Sequence, residues 1–206
     1  MSQTTQKSRF EITAGNPCLD FTNTVNNRAG EHPEELLKSY DDLLQWSIEA
    51  GVLKAKSAVR MRALAKDAPG RAQSVLREAV QLRDALFHIF MAVAEHRVVP
   101  DTALRYLNRA LQQASRHSRL VQERRGFVWE WVDFEENLDS MLWSVIRSAA
   151  DLLVSDKIDL VGQCASVDCG WLFLDTTKNH RRRWCDMKEC GNRDKARRYY
   201  RRTKVQ

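Results

Sequence analysis

Four cysteines fall within 27 residues near the C-terminal end, in the pattern Cys164-x4-Cys169-x15-Cys185-x4-Cys190. Thiolates are soft ligands, and two close pairs can present four of them to one ion from two tight loops. They ionise on binding, so the local fold holds only while the metal is present. Four thiolates leave no open position for water, which makes the ion structural rather than catalytic. The same set would suit an iron–sulfur cluster, or two disulfides in an oxidising compartment. Nothing in the chain suggests export, and such a cluster in a reducing cytosol points to zinc. Cys18 stands apart and reads as a small buried hydrophobe.

Basic residues crowd the same region. From Lys178 to Gln206 there are twelve Lys/Arg against three Asp/Glu, while the other 177 residues carry a slight negative excess. A strongly positive end on a slightly acidic body attracts a polyanion, most simply a phosphate backbone. The candidate contacts are Lys178, Arg181, Arg182 and Arg183 between the cysteine pairs, and Arg193, Lys195, Arg197, Arg198, Arg201 and Arg202 after them. Lys204 extends the run. Asn192 is placed to cap a helix through about Arg202. On it Arg193, Arg197 and Arg201 share a face, with Tyr199 and Tyr200 interleaved. Like charges at this spacing repel, and a polyanion would relieve them. The alternative for this segment is a solvated basic tail.

Something must hold these groups in place. Trp171-Leu-Phe-Leu174 alternates as a short strand beside the first cysteine pair, and Trp184 adjoins Cys185. These aromatics read as packing around the metal or as a base-stacking platform. A metal replaces the core that so short a segment cannot build. Upstream the chain reads as mainly helical. Ser39 caps a helix that Gly51 ends. Ser57 caps a second one that Pro69-Gly70 terminates. Apolar residues recur at three and four from Ala72 to His96, and Pro100-Asp101 opens another helix. The period then changes: Leu120–Glu123 and Phe127–Phe134 read as a hairpin with Phe127, Trp129 and Trp131 on one face. A last helix spans about Glu136 to Val154. The segment containing Cys18, Leu19, Phe21 and Val25 is a short core element, helical or extended. Residues 1–10 read as a frayed lead without an apolar signal core, and no run is long enough to span a membrane.

The stretch Arg182-Arg-Trp-Cys-Asp-Met-Lys-Glu-Cys-Gly-Asn-Arg193 resembles the CGNR zinc-finger family, with the tetrad at Cys190-Gly191-Asn192-Arg193. Trp171-Leu-Phe-Leu-Asp175 is similar to that family's strand before its basic loop. Leu19-Asp20-Phe21-x-Asn23-Thr24-Val25 and Arg28 resemble the ABATE domain that accompanies it. The resemblance implies a fold of the mainly-α, α+β kind: a helical domain over residues 10–155, then a treble-clef or ribbon-like zinc module over 160–206. It implies a structural Zn2+, DNA or RNA binding, and a bacterial transcription regulator whose first domain answers stress or a ligand. In the tetrad, Cys190 would bind metal, Gly191 permit a tight turn, Asn192 cap the helix and Arg193 begin its basic face. Arg193 could instead pair with an acid such as Asp175.

The reading is therefore a cytoplasmic zinc protein that binds nucleic acid, DNA before RNA, with a sensing or oligomerising body and no membrane contact. A homodimer is expected from the regulator class alone. Alternatives are an RNA-binding or ribosome-associated protein, or a small-molecule-binding protein or enzyme using the zinc unit for interaction. Asp20, Asn23 and Arg28 are the candidate ligand contacts for a small-molecule effector, although Asn-rich turns commonly serve as backbone caps. His88 reads as a core or boundary histidine. The chain has no phosphate-cradling glycine loop, nucleophile elbow or paired zinc-histidine motif, so no enzyme is expected.

Overall fold

A computed structural model describes residues 9–203. Residues 1–8 of the expected lead, and Lys204, lie outside them. Arg9 and Phe10 are not frayed: Arg9 pairs with Asp42, and Phe10 is buried.

Polar residues start the first helices. In α1 (Pro17–Thr22) the Asn16 side chain accepts from Cys18 N–H at 3.1 Å and Pro17 occupies the first turn, where its missing N–H costs nothing. In α2 (Tyr40–Glu49) Ser39 accepts from Asp42 N–H, and Gly51 follows the helix in the left-handed region at φ 71°. α3 covers Ala55–Asp67 and α4 covers Pro69–Ala94. Pro69 opens α4 instead of only ending α3, because its fixed φ suits a first turn as well as a stop. Ser57 lies inside α3, and its hydroxyl donates to Glu135 at 2.7 Å rather than capping.

α5 (Asp101–Ser115) leads into a hairpin of β3 (Ser118–Glu123) and β4 (Gly126–Trp131), with Leu120 opposite Trp129 and Gln122 opposite Phe127. Phe127, Trp129 and Trp131 share the expected face. Trp131 packs near Trp143, while Phe127 and Trp129 are exposed. α6 covers Ser140–Leu153 and starts later than expected. The cause is a 3-10 turn at Phe134–Glu136, entered through a left-handed Asp133. His88 is exposed on α4, not a core residue.

α1 packs against α4 and α6 at the centre of the body. Phe21 meets Trp46 with ring centroids 4.8 Å apart, and Leu86, Ile89, Phe90, Met141 and Val145 belong to the same core, all fully buried. Two short strands, β1 (Val25–Asn26) and β2 (Glu34–Glu35), pair after α1. β5 (Val161–Gln163) and β6 (Leu172–Leu174) form an antiparallel hairpin, and α7 covers Asn192–Thr203. Val161, Leu172 and Leu174 belong to the same hydrophobic core as the helices. No helix among the described residues is long and apolar enough to cross a membrane.

Candidate metal centre and basic interface

The β5–β6 hairpin brings Cys164 and Cys169 together at its tip. Cys164 N–H donates to Trp171 O at 2.8 Å and Cys169 N–H to Ser166 O at 3.1 Å. Gly170 follows at φ 70°, and a Cβ there would lie 3.2 Å from Ala29 N, so both the turn and the close approach favour glycine. Cys185 and Cys190 come from the start of the C-terminal helical stretch. There a π-helical turn, Met187–Gly191, runs directly into α7.

The four sulfurs lie within 4.8 Å of one another, and Cys169–Cys185 and Cys185–Cys190 are each 3.6 Å apart. A tetrahedron with Zn–S bonds of about 2.3 Å has edges of about 3.8 Å. A disulfide would need about 2.05 Å, and all the cysteines are free. Donor set and geometry fit one zinc ion held as a structural centre. Left as thiols the set is in conflict. Hydrogen bonds from Cys169 and Cys185 favour charge on Cys164; the bond to Cys164 raises Cys169, bonds to Cys164 and Cys169 raise Cys185, and burial raises Cys190. A dication removes that conflict by stabilising every thiolate.

Trp171 and Phe173 pack around the cysteines, with Trp184 partly buried against them. Among these aromatics the packing role holds for Trp171 and Phe173. Arg182 is folded into the module as well. Its guanidinium donates to Trp184 O at 3.0 Å, to Thr13 O at 3.0 Å and to Cys185 O, and stacks 4.5 Å over Phe173. Its own N–H donates to Asp175 at 2.8 Å. Asp175 is thus taken by Arg182 and Thr177, and Arg193 stays exposed.

Within the Cys-Gly-Asn-Arg tetrad, Asn192 departs from the expected role. Asn192 is already helical and donates to Lys188 O at 2.9 Å. Capping falls to Asp186, which accepts from Lys188 and Glu189 N–H, because the helical stretch begins several residues earlier. Gly191 lies within this turn, and a Cβ there would stand 2.5 Å from Met187 Sδ. It sits in the tight π-helical turn as expected, and an added side chain would require the exposed Met187 side chain to move.

Residues 15–156 match the model of the ABATE family, described as "Putative stress-induced transcription regulator", and residues 161–203 match the CGNR zinc finger. The chain belongs to the ABATE family. No curated protein matches it.

In this ABATE chain the basic residues divide by geometry. Lys178, Arg181 and Arg183 are exposed on the loop between the cysteine pairs; Arg193, Lys195, Arg201 and Arg202 are exposed on α7. None of these seven has an ion pair among the described residues. Arg197 pairs with Asp168 in the first cysteine loop, and Arg198 pairs with Asp194 at 2.8 Å. Tyr199 and Tyr200 are both exposed and meet edge to face.

The three candidate ligand contacts of the ABATE domain serve the fold and face different partners. Asn23 is buried and reaches the zinc module: its amide donates to Leu172 O at 2.8 Å and accepts from Leu172 N–H at 2.9 Å. Asp20, also buried, accepts from Ala14 N–H at 2.8 Å, and burial raises its pKa to about 6. Arg28 donates to Thr22 O and Asp84, and lies 4.1 Å over the Phe87 ring. Burial holds it below the usual arginine range. Its backbone N–H donates to Cys169 O at 3.1 Å. The Asn23–Leu172, Arg28–Asp84 and Arg28–Cys169 links join residues far apart in sequence, and no local signal announces them.

Proposed function

We propose that this chain is a bacterial cytoplasmic transcription regulator that grips nucleic acid through the rim of its zinc module. It acts as a binding protein rather than an enzyme, as a homodimer, and its helical body answers an effector. The observation that carries the reading is a set of seven exposed cations around a closed metal site, none with an ion pair among the described residues. A solvated tail would not be pinned to a metal centre, and a purely structural finger would have no need of so much unneutralised charge. The role in the family's description favours duplex DNA. Zinc acts here only by holding the two loops; the protein's own cations meet the phosphates.

RNA is the second reading. It rests on exposed Tyr199 and Tyr200, which offer stacking surfaces to unpaired bases.

The test is a salt titration of the full zinc-loaded chain on random-sequence duplex DNA and on RNA. If about five phosphates are contacted, log K falls with log salt at a slope of about −4.5, so doubling the salt costs about twentyfold in affinity. No binding at low salt sinks the reading. Tighter binding to single-stranded RNA than to duplex exchanges the first reading for the second.

A further inference from the structure

We propose that the cleft between α4, α5 and α6 is a binding site for a small aromatic carboxylate. α5 packs across both other helices. Its inner face carries small residues at the crossing, Ala110 and Ala114, and a cleft of about 560 Å3 remains. That volume lies within the range of small-molecule pockets.

The floor is apolar and ring-rich. Leu82, Leu142, Trp143 and Ile146 line it and are themselves buried. His117 stacks on Trp143 with centroids 4.1 Å apart and planes 11° apart, and Trp143 Nε1 donates to Asp139 at 3.2 Å. The rings are therefore fixed before any ligand arrives. A flat apolar ligand is favoured over such a floor by burial of the apolar surface that remains open in the cleft.

The rim selects charge. Its two carboxylates, Glu78 and Asp139, are both held by Arg71, at 2.9 and 3.5 Å. Arg109 and Arg116 also line the cleft, are exposed, and have no ion pair among the described residues. The uncommitted charge at the mouth is positive and carried by guanidinium groups, whose planar fork matches a carboxylate. An apolar floor beneath two free guanidinium groups fits an aromatic acid better than a sugar, which would leave the floor unsatisfied, or a cation, which the rim would repel. The site lies on the body and does not depend on the nucleic-acid reading.

The test uses 1-naphthoate as probe and 1-naphthalenemethanol as its neutral counterpart. Each is titrated into the full zinc-loaded chain without nucleic acid, and read by calorimetry and tryptophan fluorescence. The expected result is naphthoate binding with Kd below about 1 mM. Arg109→Gln combined with Arg116→Gln should weaken it roughly tenfold, and Ala110→Trp should abolish it by filling the cleft. Both arginines are on the surface, so their replacement leaves the core intact even if Ala110→Trp does not fold. The proposal is overturned if naphthoate shows no saturation, if the neutral alcohol binds as tightly, if the arginine variant binds unchanged, or if a folded Ala110→Trp still binds. Because no nucleic acid is present, failure here leaves the DNA reading untouched, and the reverse holds too.

Discussion

Asn23→Ala should destabilise the whole chain and weaken its hold on zinc. Cys164 N–H bonds to Trp171 O and closes the β5–β6 hairpin, while the N–H and C=O of Leu172 turn outward to the Asn23 amide, at 2.9 and 2.8 Å. The amide thus takes the place of a third strand. Leu172 is fully buried and Asn23 is 4% exposed, so water cannot readily replace the lost partner. Two buried backbone groups left unsatisfied cost about 1–3 kcal/mol each, or about 2–6 kcal/mol together. For a chain of this length, at about 2–4 °C per kcal/mol, that lowers Tm by about 4–24 °C. Thermal unfolding of the zinc-loaded protein measures the first effect, and competition with a chromogenic chelator measures the second. Asn26→Ala is the comparator, because the one bond described for the Asn26 side chain is an exposed one to Glu34 and the substitution leaves its backbone pairing in place; it should shift stability by less than about 0.5 kcal/mol. If Asn23→Ala melts within a degree or two of the parent and holds zinc equally well, the Asn23 bridge is not what ties module to body.

The chain should bind one zinc; Cys185→Ser should lose it and melt at lower temperature, as metal analysis beside calorimetry would show. Asp20 has its pKa raised from 3.8 to about 6 by burial, so the folded state holds a proton that the unfolded state releases in that window. Stability from this group is therefore lost as pH rises through it, and Asp20→Asn should gain up to about 3 kcal/mol at pH 7.5 and nothing near pH 3.5; an equal gain at both pH values would contradict the assignment. Arg201→Glu with Arg202→Glu should weaken nucleic-acid binding and flatten the salt slope by about two without moving Tm, whereas Arg197→Glu should also lower Tm by placing two acids together at Asp168.

The helices and the cysteine set were readable because each rests on local spacing: apolar residues at three and four on α4, and sulfur pairs on two loops. Boundaries failed where one residue type serves two ends, as at Pro69, or where a left-handed residue breaks the period, as at Asp133. The basic run was readable as charge but not as geometry. Arg181, Arg182 and Arg183 look equivalent in sequence, yet Arg182 is drawn inward by the carbonyls of Thr13, Trp184 and Cys185. Arg197 looks like one face of a helix with Arg193 and Arg201, yet Asp168 claims it. Asn23 looked like a turn cap or a ligand contact, and its partner lies 149 residues away. Such pairings depend on which surfaces meet after folding.

The contacts across the ABATE–CGNR boundary also bear on how the zinc module is stable. Four cysteines can fix two loops, but a two-stranded hairpin alone is marginal in water, and the outer edge of β6 would present unpaired backbone groups. Here the body covers that edge: Leu174 N–H donates to Ala14 O at 2.7 Å, the Asn23 amide takes Leu172, and the Trp171 indole donates to Val25 O at 2.8 Å. On the other side Arg28 and Ala29 N–H donate to Cys169 and Asp168 O. The same Arg28 side chain is held by Asp84 on α4, next to Arg83, which pairs with Glu35 at 2.7 Å. A lesion at the metal therefore removes support from α1 and the segment after it, and a lesion at Asn23 or Arg28 loosens the cysteine loop. Residues in one such network do not contribute additively. Combining Asn23→Ala with zinc removal should accordingly cost less than the sum of the two separate losses, and full additivity would mean that metal centre and body are stabilised independently.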